Sequence, residues 1–319
     1  MSARAPFPIL VIVGPTGAGK SAMSIAVAER VGGEVVTADS TQVYRGCDIG
    51  TDKPTVAERR GVPHHGLDIA DPHAGFTVAE YVAHAERALA DIHARGRVPI
   101  LSGGTGLYIQ GVLEPWGFAR TPPDEALRAR YYALAAQEGN AAVHARLAGV
   151  DAESAAAIHP NNLKRVVRAI EVYELTGQPL SHWKRLDAER PPRYQARIVG
   201  LTLPRPLLYQ RIDERVHAEL AKGLLDEVKR LLDAGVPPDS QAMHGLGYRQ
   251  LIPVVRGEVP LEAAVYNLQR DTRHLARRQF TWFRRMQAVE WLDWSVAGWE
   301  AAVTQIAEIA RQIQAETRK

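Results

Sequence analysis

The stretch Gly14-Pro-Thr-Gly-Ala-Gly-Lys-Ser21 fills every fixed position of the phosphate-binding P-loop, G-x-x-x-x-G-K-[ST]. An apolar run at 9–13 precedes it and predicts a buried strand, and residues 21–30 have helical character. Strand, glycine-rich turn and helix N-terminus in this order present backbone N–H groups to an anion. The alternative is a glycine turn that binds nothing. The complete match favours a di- or triphosphate site made by Gly14, Pro15, Thr16, Gly17, Ala18, Gly19, Lys20 and Ser21.

Composition allows one large or two modest domains. The chain has 319 residues, of which 46% are hydrophobic and 24% charged, and its net charge is only +3 with a pI of about 9.0. The single cysteine, Cys47, excludes an intrachain disulfide and a cysteine-built zinc site. No apolar run has membrane-spanning length and no signal peptide precedes the first strand, so we expect a cytoplasmic location. The sequence leaves the oligomeric state open, and a monomer is the default expectation.

Strand and helix signals alternate through the first third of the chain. Short strands are predicted at 33–39 and 97–102, with a helix from Thr77 to Arg95 between them. This order predicts an α/β fold with a P-loop NTPase-like parallel sheet core flanked by helices. Ligands bind at the carboxyl ends of parallel strands, so the P-loop, Asp39-Ser40 and Gly103-Gly-Thr-Gly106 should meet at one site.

The character changes near Pro115, after which strand signals are few. Residues 115–189 are predicted to form an all-helical insertion, and residues 1–114 with 190–319 to form the α/β core and its C-terminal helices. The helices expected in the insertion span 125–137, 141–148, 152–158 and 163–176. A strand is predicted to return at 196–203, followed by helices from Arg205 to Ala234 and a tail helix at 299–316.

Three short segments carry candidate chemistry, each with a simpler alternative. Asp39, at a strand end, could bind Mg²⁺ through water or act as a general base; it could equally be a turn or N-cap residue. Thr105, within the second glycine turn, offers a hydroxyl, but that turn could be only a tight strand-to-helix connection. His64-His65 could suggest a metal site, although a loop packed near the phosphate site is favoured, because no third ligand is placed.

The segment 270–285 is strongly basic, with six arginines and the interleaved aromatics Phe280, Trp282 and Phe283. Arginine with aromatics suits phosphate contacts and base stacking. The alternative is a solvated basic helix whose aromatics pack in the core. A second basic run, Lys164-Arg-Val-Val-Arg168, lies in the helical insertion, and two separated patches favour an extended polyanion.

Together these segments resemble the tRNA dimethylallyltransferase family over nearly the whole chain. Some positions depart from the family pattern: Gly17-Ala18 in the loop, Cys47, Asp52 and Gly66. None of them removes a residue to which chemistry is assigned. The matching stretches are Gly14–Ser21, Asp39-Ser-Thr-Gln-Val-Tyr-Arg45 running into Asp48-Ile-Gly-Thr-Asp-Lys-Pro54, Pro63-His-His65 with Leu67-Asp-Ile69, Gly103–Tyr108, Gly247-Tyr-Arg249 and Arg278-Gln-Phe-Thr-Trp-Phe-Arg284.

The resemblance implies transfer of a dimethylallyl group from dimethylallyl diphosphate to N6 of the adenosine next to the anticodon, position 37. The loop would hold this diphosphate rather than ATP, although the P-loop motif alone would suit ATP as well. Lys20 and a Mg²⁺ on Ser21 would stabilise the leaving diphosphate, Asp39 would be the base, and Thr105 would help place the amine or the diphosphate. The adenine would be flipped from its stack.

The insertion would clamp the anticodon stem-loop. The residues that the resemblance assigns to tRNA are Asp39, Ser40, Thr41, Gln42, Thr105, Arg128, Lys164, Arg165, Val166, Val167, Arg168, His244, Gly245, Leu246, Gly247, Tyr248, Arg249, Arg277 and Arg278. Three rival functions fit the sequence less well: a small-molecule P-loop kinase, an RNA-binding GTPase switch, and prenylation of free adenine nucleotides. The first leaves the 270–285 segment unused, the second lacks an Asn-Lys-x-Asp stretch, and the third leaves the insertion without a role.

Overall fold

The computed structural model describes residues 6–114 and 122–317. Six strands in the described residues form one sheet: β1 (Phe7–Val13), β2 (Glu34–Thr37), β3 (His64–His65), β4 (Pro99–Gly103), β5 (Tyr194–Thr202) and β6 (Val289–Asp293). Their order across the sheet is β3-β2-β4-β1-β5-β6, and every neighbouring pair is parallel. The predicted parallel α/β core is therefore confirmed.

Helices occupy most of the remaining chain. In chain order they are α1 (Lys20–Val31), α2 (Val78–Ala94), α3 (Gly106–Leu113), α4 (Glu125–Glu138), α5 (Asn140–Val150), α6 (Ala152–Ala157), α7 (Leu163–Thr176), α8 (Leu180–Ala188), α9 (Arg205–Ala221), α10 (Leu224–Asp233), α11 (Tyr248–Val255), α12 (Leu261–Phe283), α13 (Trp294–Ala297) and α14 (Trp299–Thr317). No helix in residues 6–114 and 122–317 is long and apolar enough to cross a membrane.

Both faces of the sheet are buried, which explains the unbroken apolar run of β1. Because successive side chains of a strand point to opposite faces, Ile9, Val11 and Val13 pack in one hydrophobic cluster with residues of α2 and α3. Leu10 and Ile12 pack in the other, with residues of α1, α9 and α14. A central strand held in this way gives the P-loop at its carboxyl end a rigid base.

The chain divides into two compact units. Met1–Leu113 with Arg193–Lys319 forms the sheet unit, and Glu114–Pro192 forms the helical unit, which contains α4 to α8. The helical unit has its own hydrophobic core, built around Val143, Leu147 and Ile170. Residues 115–121, where the insertion is predicted to begin, lie outside the described residues.

The helices predicted from Arg205 to Ala234 are α9 and α10, which are separated at Gly223, where a φ of 97° ends a regular helix. Other elements differ from the sequence predictions. Strands β3 and β6 and helix α8 were not predicted. Both strands are short and only half-buried at the sheet edges, so neither produces a continuous apolar run.

Candidate active site

A cavity of about 1280 Å³ opens in the sheet unit at the carboxyl ends of β1, β2 and β4. Its walls are the P-loop, residues 39–42, residues 102–107 and side chains from α9 and α12. The three strand ends that the sequence singles out thus meet in one place, as expected for a parallel sheet.

The P-loop has a conformation that its glycines make possible. Gly14 has a φ of 147°, and a Cβ there would lie 2.5 Å from the backbone oxygen of Leu201 on β5. Gly19, with a φ of 87°, immediately precedes α1. The N-terminus of α1 consequently faces the cavity. The hydroxyl of Ser21 is exposed there and has no hydrogen-bond partner among the described residues.

Lys20 is held inside the cavity by the loop that it belongs to. Its Nζ donates a hydrogen bond of 2.9 Å to the backbone oxygen of Pro15. The pKa of Lys20 is lowered to about 8, mainly by desolvation and also by the charge of Arg215, while the carboxylates of Asp39 and Asp52 act in the opposite direction. A lysine in this state gains favourable interactions when an anion enters beside it.

A second cation, Arg215 of α9, lies beside the P-loop. Its guanidinium donates to Thr16 Oγ1 at 3.1 Å, lies 3.2 Å from the Asp52 carboxylate and contacts Glu219 Oε1 at 2.6 Å. Burial opposes its charge, but the carboxylates of Glu219 and Asp52 raise the pKa of Arg215 above its usual value. Arg215 therefore stays charged, with a fixed orientation next to the loop.

Two other side chains of the sheet unit donate hydrogen bonds to backbone oxygens of the P-loop. Arg211 Nε donates to the backbone oxygen of Gly17 at 2.9 Å, and Trp294 Nε1 donates to that of Ala18 at 2.9 Å. These bonds satisfy loop carbonyls and leave the loop's anion-facing side open to the cavity.

Asp39 uses one carboxylate oxygen for local structure and leaves the other available. Oδ1 accepts hydrogen bonds from the backbone N–H of Thr41 at 2.9 Å and from its hydroxyl at 2.7 Å. No described residue donates to Oδ2. The turn role and the base role suggested for this residue are therefore compatible.

Thr105 holds the segment that carries Asp39. Its hydroxyl oxygen accepts from the backbone N–H of Ser40 at 2.9 Å and lies 3.2 Å from Ser40 Oγ. Gly103 lies so close to Ala38, the residue after β2, that a Cβ would be 2.0 Å from the Ala38 oxygen. The second glycine turn is thus partly the tight connection of the simpler interpretation, and it also positions Asp39.

The loop after Asp39 is secured by buried polar groups. Gln42 Nε2 donates to the oxygen of Thr51 at 2.9 Å, so this amide is occupied within the protein. Lys53, almost fully buried, contacts the carboxylates of Asp48 and Asp68 at 2.7 and 2.6 Å. The dense internal bonding gives this polar stretch a structural role besides any role in binding.

Glu227 anchors the same loop from α10. Its carboxylate accepts hydrogen bonds from the backbone N–H groups of Asp48, Ile49 and Gly50 at 2.9 to 3.1 Å. The hydroxyl of Tyr248 also donates to it, at 2.8 Å. A buried carboxylate with four donors is fully satisfied, so Glu227 is a structural residue.

The histidine pair has structural partners. His65 Nε2 lies 2.8 Å from Glu34, and His64 Nδ1 lies 2.9 Å from the oxygen of Val62. The pair forms β3 rather than the expected loop, although His64 does line the cavity. Within the part of the chain that the structure describes, no group of three or more histidine, cysteine or acidic residues could hold a metal ion.

Comparison with known proteins shows the family of this chain. The IPP transferase family profile matches residues 42–286. The chain is 48% identical over 292 residues to a tRNA dimethylallyltransferase of Thermomicrobium roseum, covering 92% of this chain and 88% of that one. It is 46% identical to the enzyme of the same name from Geobacillus thermodenitrificans, with 97% of each chain covered. The chain belongs to the IPP transferase family.

Solved structures support the same assignment. The full-length tRNA isopentenylpyrophosphate transferase from Bacillus halodurans matches this IPP transferase with a TM-score of 0.72 and 40% identity over 98% of both chains. A eukaryotic dimethylallyltransferase crystallised while acting on tRNA matches with a TM-score of 0.80 and 27% identity over 94% of this chain and 77% of that one. The resemblance and the P-loop-type fold inferred from sequence are confirmed.

Part of the tRNA-contact set predicted in the sheet unit is accessible in this transferase. His244 and Arg249 are exposed and line the cavity, with Leu246 half-buried beside them. Tyr248 is fully buried. Its predicted contact with tRNA is therefore corrected, because its hydroxyl is bonded to Glu227 inside the protein. The buried glycines 245 and 247 can offer only backbone.

The helical unit shows a similar division. Lys164 and Arg165 are exposed near the N-terminus of α7, whereas Val166 and Val167 are 0% and 1% exposed. Contacts from these two valine side chains to tRNA are ruled out, because they form the core of the unit. The remaining basic members, Arg128 and Arg168, are half-buried and both contact the buried carboxylate of Glu171.

Helix α12 carries most of the basic segment 270–285. Arg277 and Arg278 are exposed, and Arg278 lines the cavity. The aromatics largely follow the simpler interpretation. Phe283 is fully buried, and Phe280 packs on Trp291 of β6 with ring centroids 5.0 Å apart. Phe283 is therefore unavailable for base stacking, whereas Phe280 is half-buried and already packed on one side.

Sequence reasoning missed Arg211, Arg215, Glu219 and Gln279 as site residues. The first three recur at intervals of four on α9, a spacing that aligns them on one helix face. That spacing was the available signal, but many solvated helices show it as well. Gln279 is placed by tertiary structure alone.

Proposed function

We propose that this chain transfers a dimethylallyl group from dimethylallyl diphosphate to N6 of adenosine 37 in tRNA. The N6–carbon bond forms as the allylic carbon–oxygen bond to diphosphate breaks, and an N6 proton passes to the protein. The observation that carries the proposal is one cavity that joins a P-loop with two cations to a carboxylate with a free oxygen.

The P-loop side of the cavity suits the leaving group. Loop amides, Lys20 and Arg215 would bind the diphosphate and stabilise the negative charge that grows on it as the allylic bond breaks. Arg215 reaches this place already oriented by Glu219, so little reorganisation is required when the transition state forms.

A Mg²⁺ ion fits beside these groups. The exposed, unpartnered hydroxyl of Ser21 is an oxygen ligand of the kind Mg²⁺ takes, and this ion commonly keeps waters and substrate phosphates as its other ligands. When bound, it would neutralise charge on the diphosphate. Ser21 is the protein group that we propose to hold it.

The opposite side of the cavity suits the nucleophile. Asp39 Oδ2 would accept the N6 proton, which matters because an exocyclic aromatic amine is a weak nucleophile. Thr41 and Thr105 hold the turn around Asp39, so the free oxygen has a defined direction. The adenine would enter flipped from the anticodon loop.

Exposed basic side chains account for the polymeric substrate. His244, Arg249 and Arg278 at the cavity, with Lys164 and Arg165 on the helical unit, would contact tRNA phosphates. We also propose that the helical unit clamps the tRNA, and that the protein is a monomer located in the cytoplasm.

The test uses radiolabelled dimethylallyl diphosphate, Mg²⁺ and unmodified tRNA with adenosine at position 37. Label should enter the RNA with the wild-type protein, and it should be lost with Lys20→Ala and with a tRNA that carries guanosine at that position. AMP supplied as the acceptor should remain unlabelled. Failure of transfer to tRNA, or efficient transfer to AMP instead, would overturn the proposal.

A further inference from the structure

Gln279 on α12 connects two loops that lie far from it in sequence. Its Oε1 accepts a hydrogen bond of 2.8 Å from the backbone N–H of Thr16 in the P-loop. Its Nε2 donates a hydrogen bond of 2.9 Å to the backbone oxygen of Gly104 in the second glycine turn. One carboxamide thus spans the gap between the two loops, and both bonds use backbone groups.

The second glycine turn is built to receive α12 at close range. A Cβ on Gly104 would lie 2.5 Å from Gln279 Nε2, and a Cβ on Gly106 would lie 2.4 Å from the Trp282 ring. Gly104 has no positive φ. A side chain at residue 104 would therefore displace the glutamine, although the backbone conformation there would accept one.

We propose that Gln279 is a positioning residue that sets the distance between the leaving-group site and the base. The inference rests on the proposed function. The P-loop would hold the diphosphate, while the second glycine turn carries Thr105, which holds Ser40 next to Asp39. A bridge between the two loops would fix the position of the breaking carbon–oxygen bond of dimethylallyl diphosphate relative to the Asp39 oxygen that takes the proton.

Alignment is the property that such a bridge controls. Misplacement by about 1 Å can cost on the order of 100-fold in rate even when both substrates still bind. Loss of Gln279 should consequently reduce the transfer step more than it reduces affinity for either substrate. A residue that served only the stability of the fold would not produce that split.

The test is a double-mutant cycle of Gln279→Ala and Gly104→Ala. Single-turnover transfer is measured with enzyme in excess over tRNA, so that the rate constant does not depend on the folded fraction. Gln279→Ala should slow transfer by roughly 10- to 100-fold, with the dissociation constants of tRNA and dimethylallyl diphosphate changed less than about 3-fold. Gly104→Ala should also slow transfer by about 10-fold or more, because its methyl displaces the glutamine.

The double variant distinguishes a direct contact from two independent defects. Without the glutamine, the nearest remaining side-chain atom to the new Cβ is Lys20 Nζ at 3.5 Å, an ordinary contact. The double variant should therefore be no slower than Gln279→Ala alone. The inference would be overturned if the rate losses of the two single variants multiplied in the double variant, or if Gln279→Ala transferred at the wild-type rate. Gln269→Ala, on the same helix and bonded to His217, is the matched control and should behave as wild type.

Hydrogen exchange tests the bridge without any catalysis. In Gln279→Ala, peptides covering the P-loop and residues 103–106 should both exchange faster than in the wild-type protein, while those of Gln269→Ala should not. Unchanged exchange in both loops would refute the bridge even if no transfer were observed. A wild-type protein that transfers no label would instead count against the proposed function alone.

Discussion

Deprotonation of Lys20 should make the activity of the enzyme fall above about pH 8, which is its alkaline limit. Desolvation in the cavity lowers the pKa of Lys20 to about 8, and the diphosphate selects the charged form. Below this pH the ammonium is present; as pH rises through about 8, kcat/KM for dimethylallyl diphosphate should fall. One unit above the pKa only about a tenth of the free enzyme remains charged, so kcat/KM should be about tenfold below its plateau at pH 9.

Two substitutions should move this limit in opposite directions. Arg215 lowers the pKa of Lys20 and Asp52 raises it, so Arg215→Gln should shift the limit to higher pH and Asp52→Asn should shift it to lower pH. Asparagine is chosen because residue 52 has a φ of 53°, which Asn tolerates. Lys20→Arg should remove the limit from this range, at a lower plateau, because arginine stays charged.

The assay is the initial rate at low dimethylallyl diphosphate and saturating tRNA, from about pH 7 to about pH 9.5 at constant ionic strength. tRNA binding is measured separately at each pH. A flat profile across this range would refute the assigned state of Lys20. So would a shift in the same direction for Arg215→Gln and Asp52→Asn, because it would show that their charges do not act on this ammonium.

Three further outcomes follow from other parts of the molecule. Asp39→Asn should lower the single-turnover rate by about 10²- to 10⁴-fold and leave tRNA affinity in filter binding largely unchanged; a loss confined to affinity would contradict its role as base. The double substitution Lys164→Ala and Arg165→Ala should reduce the slope of log K for tRNA against log salt by about 1.8, and an unchanged slope would return both residues to solvated surface. Glu227→Ala should reduce the free energy of unfolding by about 3 kcal/mol in urea titration, since several buried donors lose their acceptor; exposed Glu262→Ala is the control and should change little.

The sequence predicted those parts of the fold that depend on contiguous residues. The run at 9–13, the glycine turn and α1 follow one another, so their pattern shows both the elements and the phosphate site. Helix α7 begins and ends at the predicted residues, and Gly177, with a φ of 70°, sets its end locally. Edge strand β6 could not be predicted, since four of its five residues are only half-buried, Glu290 is exposed, and their pairing with β5 depends on tertiary structure.

The candidate site shows the same limit in a sharper form. The position of Asp39 at the cavity could be predicted because this residue closely follows a strand, and the carboxyl ends of parallel strands meet at one edge of the sheet. Arg215 and Gln279 contact the same Thr16, one through its hydroxyl and the other through its backbone N–H, from helices 199 and 263 residues further along the chain. No local pattern encodes that meeting. The composition of 270–285 indicated a role for its arginines. The residue of α12 that bonds to the P-loop is instead the uncharged Gln279 among them.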